Sequence, residues 1–292
     1  MKKKDVNPGL IDSPSEKILW YNKRNEKKTY KGVNMDFSLV PVADNTFLNF
    51  IYLGLGSNGK NLIAMFNTRG NTMIKESVAA GLDIDYLDKD YIDDKKTYKR
   101  AFLSELLIGG LKLNKVPVLV AKDSTFDLGT DPMGNTNDCD MVLGWNVISQ
   151  FAWRANPKEG RFEVQTSDFM EPNKEKTNQP IINIGFNDRI IKAAIDTSRP
   201  VTILSPSLAK EVIDSDKEVK ETLTMLGESL DDITNLSRFI FTNDNKEVRL
   251  ASPQIEPALE GADIQVVFGV DLLRSTNWAI YGPTGYIRLE NF

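Results

Sequence analysis

The sequence has no histidine and a single cysteine, Cys139, among 292 residues. Without histidine, Ser-His and Cys-His nucleophile pairs are excluded, and so are histidine metal sites. One cysteine permits no intrachain disulfide, which is compatible with a reducing compartment but leaves the compartment open. Any chemistry must run on carboxylates, lysine, tyrosine or hydroxyls. No cofactor and no metal are expected. No apolar run approaches the roughly 18 residues of a membrane span. Met1 to Lys4 are basic, but Asp5-Val6-Asn7-Pro8 follows rather than an apolar stretch, so no signal peptide is expected.

Hydrophobic residues make up 41% and charged residues 26%, the balance of a soluble globular protein with one large or two modest cores. Charge is uneven. Residues 1–31 hold nine Lys/Arg against four Asp/Glu, a net of +5, which leaves 27 against 37, a net of −10, for the remainder. The expectation is a solvated basic arm, 1–34, suited to an acidic partner, with Trp20 and Tyr21 as its anchor point. The acidic main body argues against nucleic acid.

Strand periodicity dominates. Phe47–Leu53 and Asn61–Phe66 are β-prone runs joined through Asn58-Gly59, a strong hairpin signal. A short helix is expected over Lys75–Leu82, closed by Gly81, with strands at Phe102–Ile108, Leu111–Val120, Met141–Leu143 and Arg161–Gln165. Polar residues 171–180 read as a linker. The same order then returns, with strands Ile181–Phe186 and Ile190–Ile195 about a turn at Asn187-Asp188. Asn67 and Asp196 are 129 residues apart, as are Ile74 and Ile203, and Ala80 and Ala209. Two copies of one unit account for this spacing. The second copy carries an insertion over about Asp214–Leu236, helical at Lys217–Leu226, then a hairpin around Asn243–Asn245.

Gly54-Leu55-Gly56-Ser57-Asn58-Gly59-Lys60-Asn61 matches G-x-G-x-x-G and nearly matches a phosphate loop. Both motifs need a following helix to aim its amides at phosphates. A strand-like run follows here, so a plain hairpin is the stronger reading, and nucleotide binding the weaker.

The segment Ala194-Ile195-Asp196-Thr197-Ser198-Arg199 resembles the signature of aspartic peptidases, D-T-[GS] after apolar residues. The matching segment of the first copy is Met65-Phe66-Asn67-Thr68-Arg69-Gly70. Each is followed by a helical stretch and, later, by an apolar-apolar-Gly strand: Met141-Val142-Leu143-Gly144 and Val266-Val267-Phe268-Gly269. The whole series resembles the retropepsin-like and pepsin-like aspartic proteases in tandem two-lobe form. The resemblance implies an all-β fold with short helices in two similar acid-protease lobes, 35–165 and 180–292, joined by a linker at 166–179. Thr68 and Thr197 would tie the two active-site loops together, and Ser198 stands at the small-residue position.

The family's chemistry shares one proton between two carboxylates. Here the first is Asn67, whose amide can donate an N–H to ionised Asp196 but cannot share its proton. Arg69 stands where the family has glycine and Arg199 where it usually has alanine; a guanidinium near Asp196 could take the place of the catalytic water. The implied function is a catalytically degenerate homologue that binds a protein or peptide in the inter-lobe groove or on its outer surface. The alternative is an active aspartic endopeptidase using Asp196. The flap is either the hairpin from Tyr98 to Lys115, turning at Gly109-Gly110, or elsewhere if that hairpin is core. Trp145, Trp153 and Trp278 read as core or lobe-packing residues.

Overall fold

The computed structural model describes residues 19–22, 33–42, 48–93, 96–109, 111–129, 138–156, 161–165, 179–226 and 233–290. In chain order the first half holds β1 (Leu19–Asn22), β2 (Val33–Val42), β3 (Leu48–Ser57), β4 (Lys60–Phe66), β5 (Met73–Lys75), α1 (Glu76–Ala79), β6 (Ile84–Tyr86), β7 (Tyr91–Asp93), β8 (Lys96–Ile108), β9 (Leu111–Ala121), β10 (Met141–Leu143), α2 (Trp145–Ile148), β11 (Ala152–Asn156) and β12 (Arg161–Gln165). The second holds β13 (Ile181–Phe186), β14 (Arg189–Ile195), β15 (Ile203–Leu204), α3 (Pro206–Ser215), α4 (Lys217–Leu226), β16 (Arg238–Asn243), β17 (Lys246–Ala251), β18 (Gln254–Ile255), β19 (Val266–Phe268), α5 (Val270–Ser275), β20 (Asn277–Tyr281) and β21 (Tyr286–Glu290). The chain is mostly β-sheet with short helices. Among the described residues no helix is long and apolar enough to cross a membrane.

Asparagine-bearing turns make the hairpins. Asn58 and Gly59 take φ of 50° and 75°, Asn187 and Asp188 47° and 59°, Asp244 and Asn245 48° and 61°. Positive φ at both central residues gives the turn whose twist matches the flanking strands. The Gly54–Lys60 segment is therefore the β3–β4 hairpin, with β4 and no helix directly after it. Both β4 and β14 then bury the same positions, the third, fifth, sixth and seventh of seven, so the two chains dive into their cores just before Asn67 and Asp196.

The expected helix over Lys75–Leu82 is only the four-residue α1, and Gly81 does not take the left-handed conformation of a glycine cap. The chain must already be extended at Ile84, where β6 pairs with β8. The second copy has room for more. Ser205 caps α3 by accepting the Leu208 N–H, with Pro206 in the first turn. Asp216 accepts the N–H groups of Glu218 and Val219 at the start of α4, and Arg238 clamps it with two hydrogen bonds of 2.8 Å.

The halves meet through a sheet running β2–β12–β11–β20–β21. Trp153 pairs with Ile280 and Ala155 with Trp278. A shift of 125 residues turns each of these pairs into the other, so the central pairing maps onto itself as a two-fold would require. The two tryptophans lie fully buried beside Phe66 and Phe162, with Phe66–Trp153 and Phe162–Trp278 centroids 5.2 and 5.4 Å apart in edge-to-face contact. Each indole N–H is satisfied by a carbonyl five residues back, Ile148 for Trp153 and Leu273 for Trp278. Trp145 is buried as well. Of the basic arm, Leu19–Asn22 pairs antiparallel with β9, which puts Trp20 and Tyr21 in a strand; its other residues before 33 lie outside the described ones, as does most of the linker.

Candidate functional site

Each half carries its key loop between two strands that flank a third. In the first half β10 runs parallel to β4 and antiparallel to β5, under the loop that starts at Asn67. In the second, β19 sits the same way between β14 and β15, under the loop that starts at Asp196. The Asn67 N–H donates to Leu143 O and the Asp196 N–H to Phe268 O, both at 2.9 Å. The chain leaves β10 and β19 through Gly144 and Gly269, where the loop backbone passes so close that a Cβ would lie 2.2 Å from Asn71 C and 2.7 Å from Arg199 O. Only glycine permits that approach.

The two loops grip one another. The Thr68 N–H donates to Thr197 Oγ1 (2.9 Å), and the Thr197 N–H donates to Thr68 Oγ1 (3.1 Å). Each hydroxyl passes its own proton across the seam, from Thr197 to Phe66 O (2.7 Å) and from Thr68 to Ile195 O (3.1 Å). Both threonines are fully buried. Four hydrogen bonds, two in each direction, therefore join residues 127 to 131 apart in sequence.

Asn67 and Asp196 hold equivalent places beside this grip. Asn67 Oδ1 accepts the Arg69 N–H at 2.9 Å; Asp196 Oδ1 accepts the Ser198 N–H at 3.0 Å and also the Ser198 hydroxyl. Because a backbone N–H must meet oxygen, the Asn67 amide orientation follows from this bond. The Asn67-to-Asp196 hydrogen bond expected from sequence is not made. Arg69 reaches across instead, Nη1 donating to Asp196 Oδ2 at 3.2 Å, and Arg199 Nε lies 3.7 Å from the same oxygen. The carboxylate is buried, 4% exposed, while the arginine side chains are 52% and 40% exposed. One buried acid thus faces two half-exposed guanidiniums. An open groove of about 580 Å³ is lined by Arg69, Asp196, Ser198, Arg199, Pro200, Val201 and Gln254.

Beyond the loops, strand register corrects part of the sequence spacing. Met73 pairs with Val142 and Ile203 with Val267, while Ile74 pairs with Met141 and Leu204 with Val266. The equivalents are therefore Ile74 and Leu204, not Ile74 and Ile203, and likewise Ala79 and Ala209, both 2% exposed. The second loop is one residue longer: Asn71 of the first is matched by Pro200 and Val201. Identical residue types 129 apart happened to sit one place off.

Two residues escaped the sequence reading. Asn146 Oδ1 accepts both the N–H (2.7 Å) and the hydroxyl (2.8 Å) of Thr72, and Asp271 accepts the same pair from Thr202 (2.9 and 2.8 Å). Thr72 and Thr202 then receive the Gly144 and Gly269 N–H groups. These contacts buttress each loop from below. The signal was present as Gly144-x-Asn146 and Gly269-x-Asp271. Burial pushes the Asp271 carboxyl above its ordinary range, against the smaller opposing effect of its bonds from Thr202 and Leu272.

The Tyr98–Lys115 hairpin is core rather than flap: Leu106, Ile108, Leu111 and Leu113 flank its turn and are fully buried. The exposed hairpin in this region is β7–β8, where Ile92 is 72% exposed. No protein-family model matches the sequence, and no curated protein sequence matches it either.

Proposed function

We propose that the chain is a two-lobed, acid-protease-type protein whose catalytic pair has lost one member, and that it binds a protein or peptide without cleaving it. The observation that carries this reading is the pairing of Asn67 and Asp196. Their oxygens take equivalent backbone hydrogen bonds on either side of the Thr68–Thr197 grip, yet only one is an acid. Peptide hydrolysis by a carboxylate pair needs one group to take a proton from water while the other gives one to the carbonyl. An amide does neither. Arg69 and Arg199 converge on the oxygen of Asp196 that would have to approach a water. Loss of one member of a catalytic unit removes several powers of ten in rate.

The test is incubation of the full chain with a mixed peptide library from pH 3 to pH 8, read by mass spectrometry, beside Asp196→Ala. The peptides should remain intact in both. Cleavage by the native chain that Asp196→Ala abolishes would establish the active-endopeptidase reading instead.

A further inference from the structure

We propose that the groove at Asp196 is a carboxylate-binding site, in which Arg69 and Arg199 together hold an acidic side chain or the C-terminal carboxylate of an extended peptide. The inference rests on the reading of the groove as a binding rather than a cleaving site, and it names the ligand chemistry.

Three observations carry it. First, the charges do not balance. Two guanidiniums face the single buried carboxylate of Asp196, which leaves the groove at +1 among its lining residues. Second, donors outnumber acceptors. Arg69 gives Asp196 one side-chain hydrogen bond, and Arg199, at 3.7 Å, is an ion-pair neighbour without hydrogen-bond contact. Guanidinium forks present five N–H donors in a plane that matches a carboxylate's two oxygens. Apart from the Arg69 Nη1 bond to Asp196, these side-chain donors have no hydrogen-bond acceptor among the described residues, and both arginines line an open groove of about 580 Å³. Third, the guanidiniums are held where they are. Asp196 is fixed by Ser198 and by the threonine grip, so it acts as a buried anchor that draws both arginines to one oxygen.

The valence favours a carboxylate over a phosphate. One monoanion neutralises the site, whereas a phosphate dianion would leave excess negative charge beside Asp196. The whole chain is net −5, so long-range attraction does not draw anions in, and binding must come from the local pair.

The experiment follows the arginine side-chain 15Nε signals of the full-length protein, assigned with Arg69→Gln and Arg199→Gln, during titration with three otherwise identical peptides. One carries an internal Glu and an amidated C-terminus. One carries Gln and a free C-terminal carboxylate. One carries Gln and an amidated C-terminus. Acetate, inorganic phosphate and chloride are titrated at matched ionic strength. At least one carboxylate peptide should bind fivefold or more tightly than the neutral peptide, and the preferred one identifies the source. Acetate should shift both arginine signals where chloride does not. The preference should weaken in each single variant and vanish in the Arg69→Gln/Arg199→Gln double variant, each compared only after its far-UV circular dichroism shows it folded, because the buried Asp196 loses cationic partners. Equal affinity for all three peptides, a preference that survives the double variant, or stronger binding of phosphate than of acetate would overturn the proposal. Mass spectrometry of the same samples separates the two claims. Cleaved peptides refute the binding-only reading, whereas intact peptides with no carboxylate preference refute this inference alone.

Discussion

Thr197→Val removes one hydroxyl from the seam while keeping the side chain's shape. That hydroxyl accepts the Thr68 N–H at 2.9 Å and donates to Phe66 O at 2.7 Å, in a place with no measurable solvent exposure. Both partners are backbone groups that have nowhere else to turn. An orphaned buried polar group costs about 1–3 kcal/mol. Two such losses, offset by roughly 1 kcal/mol from the extra buried methyl, put the variant about 1–5 kcal/mol below the native protein. Native domains hold only about 5–15 kcal/mol in total, so the effect is large. Thr68→Val, which orphans the Thr197 N–H and Ile195 O, should cost a similar amount. Thr197→Ser keeps both bonds and should lose only about 1 kcal/mol, for the missing methyl. Urea denaturation at neutral pH measures each difference as a change in midpoint at constant slope. If Thr197→Val lowered stability by less than about 0.5 kcal/mol, the four-bond grip would not exist in solution, and the account of how the halves meet would fail.

Asp271→Asn should change the pH dependence of stability. Because the folded state raises the Asp271 pKa, the native protein's stability from this group is full below the ordinary value of 3.8 and is lost as pH rises through the folded value. The variant should therefore compare more favourably with the native protein at pH 7 than at pH 3 in urea titrations, and a difference of the opposite sign would refute the assignment. Gly144→Ala should cost about 3 kcal/mol or more, since its Cβ would meet loop backbone at 2.2 to 2.5 Å, whereas Gly54→Ala, with nothing within 4 Å, should change stability by about 1 kcal/mol or less. Similar midpoints for the two variants in thermal unfolding would show that the loops do not cross the strands as described.

Much of this was legible in local sequence because it depends on local physics. Asn58-Gly59, Asn187-Asp188 and Asp244-Asn245 announce their turns through their tolerance of positive φ. The apolar runs Asn61–Phe66 and Ile190–Ile195 announce strands, though exposed Ile63 and Ile190 hide from the sequence which face each strand buries. The candidate residues Asn67, Thr68, Arg69, Asp196, Thr197, Ser198 and Arg199 do come together at one place. What could not be read there depends on distance in the chain. The resemblance brought Arg69 and Arg199 near Asp196, but it did not show that Arg69, 127 residues away, makes the hydrogen bond while Arg199 stays at 3.7 Å. The extra residue at Pro200-Val201 was invisible because identical residues on both sides concealed the slip. The shortness of α1 follows from where β6 must pair with β8.

The claim that the two half-sites face and hold each other is tested most directly by native-state hydrogen exchange at the Thr68 and Thr197 amides. Both lie in loops outside any strand, and each donates to a buried hydroxyl of the opposite half. Local structure alone gives neither amide a partner, so protection can come only from the seam. The account predicts that both exchange together, as slowly as the core amides, through opening of the whole molecule. Rapid exchange of either one, at the rate of an exposed loop, would contradict it.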